Sequence, residues 1–268
     1  LDLHQAAGVQ LFRRLAARAD VLIETQAPGA LDRLGLGWDE LRRENPALVM
    51  TSITGFGQTG PRRSFRSSDL VANALGGTLH VHGYAEDPPV KLAGSHAHVM
   101  ASTCAAAATM IALHHASRSG EGQHVDTAAV EVMAAVSHIC GTGKWLDDGI
   151  VPKRAGTGLF ASVPSGAYPC RDGLVYLMVN RPLHWQALAA WIHEETGNEA
   201  LRSPLFEGPS SARYEFREMI DAAISELSAR YTVAELTREG QRRHLAVSPV
   251  RDARGELLVP RDLARGFF

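Results

Sequence analysis

Apolar positions in the first third of the chain follow two different periods. Val9, Leu11, Phe12, Leu15, Ala16 and Ala19 stand against Arg13, Arg14 and Arg18 at helical spacing, which predicts an amphipathic helix across residues 5–19. Asp20-Val-Leu-Ile-Glu24 is a short apolar run that reads as a buried parallel strand. Pro28-Gly29 starts a helix from Ala30 to Leu34 with the proline in its first turn, and Gly35 and Gly37 end it. Trp38 to Asn45 predicts another short helix before Pro46, and Ala47–Thr54 a second strand. Strands separated by helices imply a parallel sheet of the doubly wound α/β kind.

Farther along, Asp69 heads the helical run Leu70–Leu75, and residues 98–118 and 127–146 read as two long helices. Between those two lie Gly120-Glu-Gly122 and a short strand, Gln123–Asp126; Ala105 to Ala108 would permit close approach of the first helix to a sheet or another helix. From Gly141 to Gly166 glycine and proline interrupt any period, which predicts a linker or a loop beside a site. A hairpin follows: Gly166–Cys170, a turn at Arg171-Asp-Gly173, then Leu174–Val179. Helices are expected over 183–195, 211–229 and 232–240, the last with Thr232 as N-cap and Glu235 completing a capping box. An extended run, His244–Val250, and a polar helix toward Phe268 close the chain.

The expected organisation is therefore a large α/β domain over 1–142, a linker over 143–165, a smaller α+β domain over 166–243, and a return segment to the large domain over 244–268. Composition adds exclusions. A chain of 268 residues with 45% hydrophobic and 21% charged residues is of globular type, and a net charge of -2 gives no reason to expect a nucleic-acid or anionic-membrane partner. The apolar run Val99 to Leu113 reads as too short and alanine-rich to span a bilayer. Cys104, Cys140 and Cys170, odd in number, fit buried free thiols in a reducing compartment. Cytoplasm is the default. The chain opens at Leu1-Asp-Leu3 without an initiator Met, as a fragment would.

Gly55-Phe-Gly57-Gln-Thr-Gly60 satisfies G-x-G-x-x-G after a strand, yet Pro61 and two arginines occupy the place of the phosphate-cradling helix start. No acidic residue stands about twenty positions on for a ribose. A tight turn at a strand end is the simpler reading. Arg62, Arg63 and Arg66 lie just beyond it and Arg33 follows the neighbouring strand; converging on one sheet edge, they would suit a phosphate-bearing ligand. His80/His82 and His96/His98, as i, i+2 pairs on strands, would point to one face and raise the possibility of a metal site. No H-E-x-x-H, cysteine pair or nearby carboxylate third ligand supports it, so no metal ligand is assigned. Ser95-His96 and Ser102 lack a nucleophile-elbow setting.

The ordered set Ala19-Asp-Val-Leu-Ile-Glu24, Pro28-Gly-Ala-Leu-Asp-Arg-Leu-Gly35, Asn45-Pro46, Ser52–Pro61, Asp69-Leu70, Pro88-Pro89 and Ser119-Gly-Glu-Gly-Gln-His-Val-Asp126 resembles the family III CoA-transferases. The family includes formyl-CoA and crotonobetainyl-CoA transferases and the α-methylacyl-CoA racemases. The likeness extends through Gly166-Ala-Tyr-Pro and Asp172-Gly173 to Arg265-Gly-Phe-Phe268. It implies a Rossmann-like large domain whose first strand precedes Leu1, a small α+β domain, and two ring-shaped subunits interlocked as a homodimer. The implied activity is transfer of CoA between carboxylic acids, with acyl-CoA as substrate and no permanently bound cofactor. Family CoA contacts map onto Leu1 to His4, Thr25-Gln26-Ala27, Arg33 and Phe65-Arg66-Ser67-Ser68; Thr25-Gln26-Ala27 departs from the usual Asn-Phe-Arg-like run. The position of the family's acyl-accepting aspartate falls on His98, and that of the racemase histidine on Ser68. The resemblance thus leaves open a transferase with altered chemistry, a CoA-binding or structural half, and a racemase-like enzyme. The paired histidines leave open a metal-dependent one.

Overall fold

The computed structural model describes residues 1–137, 141–160 and 162–252. They form two compact units, Leu1–His82 with Pro89–Pro152, and Gly83–Pro88 with the chain from Lys153 onward.

In the first unit, α1 (Ala6–Ala16), β1 (Val21–Glu24), α2 (Ala30–Arg33), α3 (Trp38–Glu44) and β2 (Val49–Thr54) form the expected β-α-β unit. Then come α4 (Asp69–Leu75), α5 (Thr78–Val81), α6 (His96–Ser119), β3 (His124–Ala128), α7 (Ala129–Val136) and α8 (Thr142–Asp148). The strands run parallel in the order β1-β2-β3, with Val21 opposite Val49 and Met50 opposite His124. Side chains of successive β2 residues leave opposite faces. Leu48 and Met50 pack with Ala16, Leu31, Leu36 and Leu41, whereas Val49 packs with Ala112 and Ala116 of α6. Thr51, on the α6 side, shares a buried hydrogen bond with Thr109 at 2.7 Å. Helices therefore cover both faces, the arrangement a parallel sheet requires.

α6 buries Ala97, Ala101, Ala105, Thr109, Ala112 and Ala116, a stripe of small residues that lets the helix lie close against β2 and β3. It is longer than the apolar run that marks it in the sequence, and by length and composition it could cross a membrane. Its small-residue stripe packs on β2 and β3, while Val99, Met110 and Ile111 are exposed. Gly122 explains part of the Ser119–Asp126 motif: its N–H donates to Pro46 O at 2.7 Å, and a Cβ there would lie 1.8 Å from Leu48 O.

Three expectations need correction in this unit. The helix foreseen over 127–146 is split into α7 and α8, with residues 138–140, including Cys140, outside the described residues. α8 occupies the start of the presumed linker. His80 and His82 do not share a strand: His80 lies in α5, and His82 ends that helix with its Nδ1 2.6 Å from Thr78 O.

The second unit contains an antiparallel sheet, β4 (Ser165–Cys170), β5 (Gly173–Met178) and β6 (Ala246–Pro249), in that order. The helices α9 (Pro182–Thr196), α10 (Arg217–Ser228) and α11 (Val233–Arg242) join Trp185, Leu188, Trp191, Ile192, Ile220, Ile224 and Leu236 to Val175, Leu177 and Val247 in one core. The capping box forms as the sequence indicates: Thr232 Oγ1 accepts the Glu235 N–H at 3.2 Å, and Glu235 Oε2 accepts the Thr232 N–H at 2.8 Å. The run at 244–250, expected to lead back to the large domain, instead supplies β6, which pairs with β5 at Leu177–Val247. The polar helix expected toward Phe268 lies outside the described residues.

Candidate functional site

The ends of β1 and β2 open into a cavity of about 860 Å³. Thr25, Gln26, Ala27 and Pro28 line it after β1, and Ile53, Thr54 and Gly55 line it at the end of β2. Ala129 contributes from the start of α7 and His98, Ala101 and Ser102 from α6. This is the carboxyl edge of the sheet, where ligands of open α/β folds lie.

The remaining wall is the loop between β2 and α4, which contributes Arg63, Ser64, Phe65, Arg66 and Ser67. Gly55 sets how close that loop comes, because a Cβ at Gly55 would sit 2.1 Å from Ser67 Cβ. Phe65 meets Phe56 edge-on, ring centres 5.8 Å apart, and stays 58% exposed. With Arg33 from α2, the cavity holds three guanidinium groups and, among the described residues, no carboxylate. Such a basin selects anions, and forked guanidinium donors fit phosphate or carboxylate oxygens.

Asp69 fixes the first turn of α6. Its Oδ1 accepts the Ala97 N–H at 2.8 Å and its Oδ2 pairs with Lys91 Nζ at 2.7 Å; Lys91 also donates to Leu92 O at 2.9 Å and to Gly94 O. Burial pushes the Asp69 carboxyl up, but the Lys91 hydrogen bond and charge and the amides of Ala97 and His98 outweigh it, leaving it below the usual carboxylate value. Asp69 is also the first residue of α4, directly after the arginine loop. One carboxylate thus ties that loop to the turn that carries His98.

Of the residues the sequence singles out, Thr25, Gln26, Arg33, Phe65, Arg66, Ser67 and His98 meet around this cavity. Leu1, His4 and Ser68 do not line it. Leu1 is 68% exposed, the His4 N–H donates to Asp2 Oδ1, and Ser68 caps α4 by accepting the Val71 N–H at 3.3 Å. Arg62 is absent from the lining, while its neighbour Arg63 takes part. Ser102, set aside in the sequence for want of a nucleophile elbow, belongs to the wall as well; its place one helical turn after His98 is the signal that links the two.

The glycine-rich turn is occupied with itself. The Gly57 N–H donates to Thr54 Oγ1 and the Gln58 N–H to Asp126 Oδ2, both at 2.9 Å, so these amides do not face a phosphate. Arg33 and Arg63 also border an adjoining recess of about 360 Å³, where Trp38 stacks on His124 at 5.8 Å. His96 and His98 stand in the first turn of α6 rather than on a strand, and among the described residues no group of three or more His, Cys, Asp or Glu is placed to hold a metal. Cys104, expected to be buried, is exposed on α6, and Cys170 is half-buried in β4; both thiols are free.

Comparison with known proteins accounts for the whole chain. The profile of CoA-transferase family III matches residues 1–268. Succinyl-CoA:(R)-benzylsuccinate CoA-transferase subunit BbsE of Thauera aromatica is 37% identical over 277 residues, covering 100% of this chain and 66% of that protein. Succinyl-CoA–D-citramalate CoA-transferase of Chloroflexus aurantiacus is 32% identical over 237 residues, covering 88% of this chain and 58% of the relative. A CAIB/BAIF family protein from Brucella suis superposes with a TM-score of 0.76 at 28% identity, over 99% of this chain and 69% of that one. The chain spans a little under two thirds of the length of these curated relatives. By motif order, by fold and by a match along its full length, it belongs to CoA-transferase family III.

Proposed function

We propose that this chain binds acyl-CoA in the α6 cavity and takes part in the transfer of CoA between carboxylic acids. The observation that carries the reading is the meeting of Arg33, Arg63, Arg66 and His98 around one cavity at the sheet's carboxyl edge. Thr25, Gln26, Arg33, Phe65, Arg66 and Ser67 would contact the CoA, with the guanidinium groups on its phosphates. Leu1, His4 and Ser68 enter the reading through resemblance alone. His98 stands where kinship puts the acyl-accepting aspartate; imidazole can take up a proton or accept an acyl group transiently. The same kinship supports a Rossmann-like large domain, a small α+β domain, interlocked copies in a homodimer, and work in the cytoplasm on soluble acids.

The test is acyl-CoA exchange by the full-length protein, with succinyl-CoA as donor and a labelled carboxylic acid as acceptor. Labelled CoA ester is expected from the wild type, and His98→Ala is expected to lower its formation by about 100-fold or more. Exchange unaffected by His98→Ala would overturn the role given to this residue. Gly55→Ala, which must push Ser67 and the arginine loop off the end of β2, is expected to weaken CoA binding about tenfold, or ~1.4 kcal/mol. Equilibrium dialysis against CoA checks it.

The lack of a carboxylate among the described residues that line the cavity, together with the naming of the Thauera relative as a subunit, favours a second reading. In it the chain is a CoA-binding half whose partner supplies the reacting carboxylate. His98→Asp raising exchange above the wild-type level would favour that reading.

A further inference from the structure

We infer that His98 and Ser102 form a base and nucleophile pair that gives this cavity a second activity, hydrolysis of acyl-CoA thioesters. The inference rests on the reading of the cavity as an acyl-CoA site and assigns its reacting atoms differently.

Both side chains line the cavity, and they are four residues apart on α6. That spacing puts two side chains on one helix face with Cβ atoms about 5–6 Å apart. An imidazole on one turn can then reach a hydroxyl on the next.

The state of the hydroxyl is the second observation. Serine and threonine within a helix commonly donate back to a carbonyl of the preceding turn. Along α6, Thr103 donates to Val99 O at 2.9 Å, Thr109 to Ala105 O at 2.6 Å, Ser117 to His114 O at 2.9 Å and Ser119 to His115 O at 2.9 Å. Ser102 is the exception: its hydroxyl makes no such bond, and the residue lines the cavity. The base beside it sits on a fixed turn, since the Ala97 N–H immediately before His98 is held by Asp69 Oδ1 at 2.8 Å.

The electrostatics suit the step. Three arginines and, among the described residues, no carboxylate line the cavity, so an anionic acyl-CoA is attracted to it. The imidazole of His98 takes the proton from Ser102 Oγ as that oxygen bonds to the thioester carbonyl carbon. The C–S bond breaks, and the CoA thiolate leaves with the proton from the imidazolium. Water, deprotonated by His98, then attacks the serine ester; the ester C–O bond breaks, Ser102 recovers a proton, and the free acid departs. No enzyme carboxylate is required at any stage, unlike the mixed-anhydride route that an aspartate at position 98 would follow.

The experiment uses the full-length protein with acetyl-CoA and no acid acceptor, following free thiol and the intact protein mass. Expected results are thiol release well above buffer, an acetyl adduct mapping to Ser102, and a loss of about 100-fold or more in both Ser102→Ala and His98→Ala. Cys104→Ser, on the same helix but outside the cavity lining, is expected to hydrolyse at the wild-type rate, which excludes the Cys104 thiol as the acceptor. CoA affinity by equilibrium dialysis separates the two readings. Undiminished CoA binding in Ser102→Ala with undiminished thiol release overturns the base–nucleophile pair alone. Wild-type protein that binds CoA but releases thiol no faster than buffer does the same. Failure of the wild type to bind CoA overturns the acyl-CoA reading itself.

Discussion

Replacing Arg213 by alanine is expected to destabilise the second unit by about 3–5 kcal/mol, the largest stability effect of any substitution considered. Arg213 is only 1% exposed, and its guanidinium is spent on backbone: Nε donates to Phe206 O at 2.8 Å, Nη1 to Val163 O at 3.1 Å and Nη2 to Gly208 O at 3.2 Å. Its planar face lies 4.2 Å over the Trp185 ring. Burial lowers the pKa of this group, and the carbonyl dipoles are what compensate its charge. Truncation strands two buried acceptors and the half-buried Gly208 carbonyl and opens a void beside Trp185; relief of a desolvated charge offsets part of that loss. Urea unfolding followed by tryptophan fluorescence measures it. Arg213→Met, which keeps most of the volume but none of the donors, should fall between. If both variants unfold within ~1 kcal/mol of wild type, the three carbonyls have found other partners and the fork is not what holds this region together.

The second large effect is expected at Asp69. Its side chain is 12% exposed and that of Lys91 30%, so the pair is sheltered enough for its loss to be felt. Asp69→Ala removes the ion pair, the acceptor for the Ala97 amide and the Asn73 Nδ2 contact at 3.3 Å, and should cost about 1–3 kcal/mol. It also frees the turn that carries His98, so exchange or hydrolysis should fall by more than the lost stability alone would cause. The pH dependence follows from the sign of the shift. Asp69 has a folded-state pKa below the 3.8 of the unfolded chain, so its contribution is present in full above that value and is lost as the pH falls through the folded-state pKa. Wild-type stability should therefore decline in acid more steeply than that of Asp69→Asn, which retains an acceptor oxygen and has no charge to titrate. Parallel acid-unfolding curves for the two proteins would show that the carboxylate charge contributes nothing there.

The β-α-β unit, α4, α6, the hairpin and the Thr232 capping box are legible in the sequence because each is encoded locally, by period, turn residue or cap. What is not legible depends on partners. α5 is a single turn following Gly77 in a left-handed conformation, too short to show a period. α8 lies in a stretch whose glycines suggest a linker, and nothing local announces that His244–Val250 joins β5 rather than the parallel sheet. The site divides in the same way. Motif order brings Arg33, Phe65, Arg66 and His98 into view, but which of Arg62 and Arg63 faces inward is set by the loop's path past Gly55. Ser102 is set aside in the sequence because no nucleophile elbow surrounds it; only the fold shows that it lines the same cavity as His98.

The small-residue stripe of α6 carries one more consequence. Ala101 is both a packed core residue and part of the cavity wall, so a single methyl group sets the floor on which an acyl chain would rest. Adding carbon there would crowd Ala72 of α4 and Ala129 and Met133 of α7 and make the chamber shallower; removing it would deepen the chamber. Selectivity for acyl length could thus drift between relatives while every charged group that grips the ligand stays in place.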